Sequence, residues 1–134
     1  MSNPIPTVGQ YMTRLPHTIV PTATLERAHK VMRKHLIRHL PVLSDGQVVG
    51  ILSLRDLHLI ETLEDVDQTE VPVADAMTDK PYIVGPDTPL DDVAAKMAAS
   101  KIGSAVVMEH GEVAGIFTTI DALVALLHVW KRAP

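Results

Sequence analysis

Two short stretches of this sequence place hydroxyl and carboxylate groups at a spacing that can do chemistry. In "GILSLRDL", residues 50 to 57, Ser53 ends an apolar run and Asp56 follows three positions later, with Arg55 beside it. In "GIFTTIDA", residues 115 to 122, Thr118 and Asp121 repeat the arrangement. A Ser or Thr three positions before an acid suits reciprocal capping of a helix N-terminus, in which the hydroxyl accepts one backbone N–H and the carboxylate another. The same groups also offer a donor and several acceptors to a polar ligand. They cap a helix or they hold something, and the residues alone leave both readings open.

The elements that position them belong to a repeat. At a constant shift of 65, residues 8 to 58 align without a gap on residues 73 to 123. The alignment gives 14 identical pairs in 51 positions, among them Val8/Val73, Met12/Met77, Pro16/Pro81, Met32/Met97, Gly50/Gly115 and Asp56/Asp121. The chain is one pattern used twice, which suggests a pseudo-twofold pair, because a solenoid usually needs three or more repeats to bury its core.

Each copy reads β-α-β-β-α. A helical turn ends at "YMT" or "AMT", and an extended piece follows, "HTIVP" or "YIVGP". A helix comes next. Thr88 reads as its N-cap in the second copy, with Pro89 at the first helical position and Asp91 completing a capping box. Thr24 or Thr22 takes the cap role in the first copy. Leu25, Ala28, Met32, His35 and Leu36 fall on one face, as do Leu90, Val93, Met97 and Ser100. Two strands follow, joined by Asp45-Gly46 or His110-Gly111, and Asp-Gly between apolar runs is a hairpin signal. A final helix closes each copy, and residues 64 to 72 read as a polar linker. The fold class expected is α/β, with units at 1–64 and 65–134.

The totals bound the function. The chain of 134 residues, 46% hydrophobic and 21% charged, is enough for one core-bearing domain. The net charge of −4 argues against a nucleic-acid partner. With no cysteine, disulfides and thiolate chemistry are excluded. The N-terminal stretch has no signal-peptide pattern, and no apolar run approaches the roughly 20 residues that span a bilayer. A cytoplasmic protein with no membrane partner is expected.

The ordered, duplicated pattern "MT…TIVP…TLERAHKVM…IRHLPVL…DGQVVGILSLRDL" and "MT…YIVGPDTPLDDVAAKM…IGSAVVM…HGEVAGIFTTIDAL" resembles the CBS domain in its tandem form, the Bateman module. The resemblance covers about residues 8 to 130. It implies two units packed sheet to sheet around two clefts that often bind AMP, ADP, ATP or S-adenosylmethionine. The family's ribose-binding pattern, Ser or Thr, two residues, then Asp, is matched by Ser53/Asp56 and Thr118/Asp121. A carboxylate suits the diol of a ribose, and a helix N-terminus suits phosphate. By the same resemblance Arg55 lies near phosphate, and Ile37, Arg38, His39 and Pro41 line the adenine pocket with a basic group toward phosphate. Thr18, Val20, Ile83 and Val84, with Asp87 a further candidate, form adenine walls. The second copy departs: Gly103, Ser104, Ala105 and Val106 stand for Arg38, His39, Leu40 and Pro41, and Ile120 for Arg55. It therefore lacks both basic candidates, which puts a phosphate-rich ligand there in doubt.

Other signals are weaker. His35 and His39 have a helical metal-ligand spacing, but His39 falls past the expected helix end without a third ligand, so no metal is expected. No phosphate loop, nucleophile elbow or paired-acid motif appears, so no catalytic residue is assigned. The last helix carries Leu123, Val124, Leu126, Leu127, Val129 and Trp130 around nearly its whole circumference, and a helix apolar all round is buried. That points to a homodimer with Trp130 at or near the interface, the alternative being cover by the N-terminal segment of the same chain. The expectation is a non-enzymatic regulatory sensor of an adenosine ligand, of the energy-sensing kind, read by a regulated protein that the sequence does not name. The rival expectation is a dimerisation or interaction module with no small-molecule ligand.

Overall fold

The alternation in "HLPVLS" and "QVVGILS" becomes an antiparallel hairpin, β2 (His39–Ser44) with β3 (Gln47–Ser53), and its repeat becomes β6 (Ser104–Glu109) with β7 (Glu112–Thr118). A computed structural model describes residues 4–14 and 17–132. Pro16, one of the repeat's identical residues, and the first three residues of the N-terminal stretch lie outside the described residues. The two turns have positive φ at both central positions, 52° and 79° at Asp45-Gly46 and 54° and 78° at His110-Gly111. That left-handed pair matches the twist of the strands it joins. Both hairpins carry a bulge at the same place, between Val42 and Leu43 and between Val107 and Met108.

The preceding helices are α2 (Leu25–His35) and α4 (Leu90–Ser100). Thr24 caps α2 by accepting the Arg27 N–H at 3.2 Å. The expected Thr88 cap on α4 is not formed. Pro89 occupies the cap position, and the Thr88 hydroxyl instead accepts the Gly85 N–H at 3.2 Å. Asp91 completes no capping box and takes the N–H of Asp92 at 2.9 Å. Leu25, Ala28 and Met32 are buried as expected, and so are Leu90, Val93 and Met97. His35 and Leu36 leave the apolar face, as does Ser100. Leu36 turns left-handed at φ 55°, swings 91% exposed, and lets the Ile37 N–H close on the Met32 carbonyl. Lys101 ends α4 in the same way.

The chain divides into two compact units, one from His17 to Pro81 and one that joins residues up to 14 with those from 82 onward. This differs from the contiguous division at 64/65. The opening segment of each repeat docks with the body of the other. In the unit of residues 17–81, β4 (Thr78–Asp79) pairs antiparallel with β3, placing Asp79 opposite Gly50. In the other unit β1 (Thr13–Arg14) pairs with β7, placing Arg14 opposite Gly115. The sheets run β2-β3-β4 and β1-β7-β6-β5, with β5 (Ile83–Val84) parallel to β6. Ile19 holds the matching position beside β2 through a bridge to Val42. Before each edge strand comes a short turn, α1 (Val8–Tyr11) or the 3₁₀ turn Val73–Asp75.

The exchange satisfies the helix starts. The Leu25 N–H donates to the Val71 carbonyl at 3.0 Å, and the Leu90 N–H to the Pro6 carbonyl at 2.8 Å. These amides have no partner within their own helices. The polar linker is thus a docked strap whose end inserts Val73 into the core. Fully buried Leu25, Leu40, Leu52 and Leu57 fill one unit, and Val8, Val93, Val107 and Phe117 the other. Each such side chain contributes about 1.5–3 kcal/mol on burial. The helices α3 (Leu54–Glu61) and α5 (Thr119–Arg132) begin where the hairpins end.

Candidate functional site

The register of the β2–β3 hairpin places His39 opposite Ser53, so the start of β2 and the end of β3 lie together. The Leu54 N–H, first in α3, donates to the Arg38 carbonyl at 2.8 Å and fixes that corner. Ile19 runs parallel to β2, donating its N–H to the Pro41 carbonyl at 3.0 Å and accepting the Leu43 N–H at 2.8 Å, so Thr18 lies toward the His39 end of β2 and Val20 toward its turn. Thr18, Arg38 and Arg55 are exposed and Val20 is 53% exposed, while Ile37 and His39 are half-buried. Pro41, between the core residues Leu40 and Val42 on β2 and opposite Ile51 on β3, is fully buried.

Ser53 and Asp56 form the capping box that their spacing allows. The Asp56 N–H donates to Ser53 Oγ at 3.0 Å, and the Ser53 N–H donates to Asp56 Oδ2 at 2.9 Å. This use is incomplete. Asp56 Oδ1 has no hydrogen-bond partner among the described residues, and the Ser53 hydroxyl proton has none either. A half-buried carboxylate therefore keeps one oxygen for an outside donor, within two residues of the exposed Arg55.

The second set sits in the other unit. Ser104 lies opposite Thr118, the Thr119 N–H reaches the Gly103 carbonyl at 3.2 Å, and Ile83 lies beside Val106. Ile83 is 46% exposed, and Asp87 is exposed. Val84, expected as a wall, is 9% exposed and sits in the core with Val107. Asp121 differs from Asp56. Its Oδ2 accepts the Thr118 N–H at 2.9 Å and the Thr118 hydroxyl at 3.3 Å. Its Oδ1 accepts the Thr13 hydroxyl at 3.0 Å. Thr13 arrives on β1, the exchanged edge strand, so no reading of the second repeat by itself reveals this bond. Thr78, its counterpart on β4, makes no bond to Asp56.

Comparison with known proteins settles the family. The model of the CBS domain matches residues 8–59 and 73–128, once for each repeat. The chain belongs to the CBS domain family. Inosine-5′-monophosphate dehydrogenase of Korarchaeum cryptofilum is 35% identical over 105 residues, which are 78% of this chain and 21% of that enzyme. The chain thus spans about a fifth of that relative's length. The CBS domain pair of protein MJ0100, solved in complex with 5′-methylthioadenosine and S-adenosyl-L-methionine, is 28% identical. It has a TM-score of 0.80, with 96% of this chain and 100% of that one covered. CBSX2, solved in complex with AMP, is 26% identical with a TM-score of 0.78, covering 92% of this chain and 98% of that one. The tandem CBS units explain the repeat and place the chain among regulatory modules.

Among the described residues no group of three His, Cys, Asp or Glu stands ready to hold a metal. His35 stacks on His17 at a 3.6 Å centroid distance. Nor is any described helix long and apolar enough to cross a membrane. Sequence reasoning missed the bond between Tyr11 and His128, because their partnership depends on the exchanged segment.

Proposed function

We propose that this tandem CBS chain is a regulatory, non-catalytic module that binds an adenosine-containing ligand: AMP, ADP, ATP or S-adenosylmethionine. The observation that carries the reading is that Asp56 Oδ1 and the hydroxyl proton of Ser53 have no partner among the described residues. A ribose diol donates to that oxygen without breaking the helix cap. Arg55 and Arg38 take the phosphate side, and Thr18, Val20 and Ile37 contact the base. The equivalent set around Ser104, Ile83, Thr118 and Asp121 takes ligand more weakly, since Thr13 must first release Asp121 Oδ1. Relatives crystallised with AMP or S-adenosyl-L-methionine support the ligand class.

Binding regulates only if the ligand prefers one conformation over another, and a partner protein reads the shift. We further propose a homodimer through α5. Its Leu123, Leu127 and Trp130 are 56%, 47% and 63% exposed, although Tyr11 of the N-terminal segment covers part of the helix. The experiment is calorimetric titration of the chain with the four ligands, repeated on Asp56→Ala. The reading expects micromolar binding by one of them, about −8 kcal/mol, lost in the variant. Failure of all four to bind folded protein would leave Asp56 a helix cap and favour the interaction-module reading.

A further inference from the structure

A cavity of about 460 Å³ opens beside the last turn of α5, within the unit of residues 4–14 and 82–132. Small-molecule sites run from roughly 300 to 1,000 Å³. Ile5 and Pro6 supply an apolar wall, and Gln10, Tyr11, His128 and Arg132 a polar one. None of these residues belongs to the adenosine set.

The polar wall is held in place and donor-rich. Tyr11 Oη and His128 Nδ1 are hydrogen-bonded at 2.9 Å, which ties α1 to α5. Gln10 accepts the Thr7 N–H through Oε1 at 3.1 Å, leaving its NH₂ to donate. Among the described residues Arg132 forms no ion pair and no carboxylate lines the cavity. The apolar wall is fixed by the Leu90 N–H on the Pro6 carbonyl and the Val8 N–H on the Thr88 carbonyl, at 2.8 and 2.9 Å. Such a wall needs little ordering on binding.

The repeat supplies an internal control. At the same shift of 65, Gln10, Tyr11, His128 and Arg132 correspond to Asp75, Ala76, Leu63 and Asp67. The other unit keeps the fold without these donors, and its α3 stops at Glu61 where α5 runs on to Arg132. The quartet is therefore not a requirement of the architecture.

We propose that this cavity binds a small organic carboxylate with an apolar body, at a site separate from the adenosine set. A single guanidinium matches a carboxylate in its fork geometry. The C-terminal end of α5 carries a partial negative charge, which opposes any anion and a dianion such as phosphate more than a monoanion, so the carboxylate relies on Arg132 and the Gln10 NH₂.

The test is an amide chemical-shift titration of the full chain with hexanoate and benzoate, using 1-hexanol, benzyl alcohol and inorganic phosphate as controls. The expected result is saturable shifts at Gln10, Tyr11, His128 and Arg132, with each acid at least tenfold tighter than its alcohol. Arg132→Gln, at an exposed position, removes that preference while the alcohols bind unchanged. Tyr11→Phe keeps the ring and weakens the acids by a smaller factor. Shifts absent from the quartet, equal affinity for acid and alcohol, an unchanged preference in Arg132→Gln, or tighter binding of phosphate would each overturn the proposal.

Discussion

Gly50 and Gly115 occupy the same place in the two repeats, yet alanine should cost more at one than at the other. A methyl at Gly115 would stand 2.5 Å from the Thr13 carbonyl oxygen and 3.2 Å from its carbon. Those are backbone atoms of β1, and a comfortable carbon contact needs about 3.5 Å. The strand must retreat by about 1 Å, and its pairing with β7 is lost or strained. At Gly50 the nearest atom is Met77 Sδ at 2.5 Å, the end of a flexible side chain, with the Thr78 carbonyl oxygen at 3.0 Å. Met77 rotates away and the strand gives by a few tenths of an ångström. Overpacking generally costs about 1–3 kcal/mol; Gly115→Ala belongs at the upper end and Gly50→Ala at the lower. Gly111→Ala is the control, because nothing lies within 4 Å and only its φ of 78° resists, at about 1 kcal/mol. Urea unfolding followed by circular dichroism reads the order from the midpoints. Equal losses at Gly50 and Gly115 would refute the docking of residues 13–14 against β7, and with it the exchange of opening segments.

Other outcomes follow from single contacts. Ser53→Ala removes the α3 cap and should cost about 1 kcal/mol, read by thermal unfolding, whereas Pro89→Ala, at a position with no side-chain cap bond, should leave α4 capping unchanged. Partial desolvation lowers the His35 pKa below its usual 6.5, and the charges of His17 and Lys34 lower it further. The folded state then binds fewer protons than the unfolded chain, so stability should be full above pH 6.5 and decline as pH falls below it. His17→Ala should flatten that decline in a series of melts. Leu123→Asp with Trp130→Asp should turn a dimer into a monomer in sedimentation without loss of helical signal, since both side chains are exposed.

Much of this architecture was legible because the hairpins and helix faces are local. Asp45-Gly46, the apolar spacing of Leu25, Ala28 and Met32, and the Ser53/Asp56 box are decided within a few residues of chain. What stayed hidden was non-local. The edge strands Thr13–Arg14 and Thr78–Asp79 are two residues long and take their partners from the other repeat, so no periodicity marks them. The bond from Thr13 to Asp121 is invisible for the same reason, and it separates two acids that the repeat makes identical. Leu36 misled the apolar face because the helix ends there in a left-handed turn without glycine. Pro41 and Val84 match the family pattern by position, and their burial depends on packing that no local pattern marks.

The most direct measurement is a binding cycle between Asp56 and the ribose. The tightest of the four adenosine ligands and its 2′,3′-dideoxy form are titrated against the native chain, Asp56→Ala and Asp121→Ala. Losing a hydrogen bond to a charged group costs about 1.5–3 kcal/mol. The native chain and Asp121→Ala should therefore lose roughly 10- to 150-fold in affinity with the dideoxy ligand, and Asp56→Ala should not distinguish the two ligands. An undiminished preference for the ribose in Asp56→Ala would contradict the account.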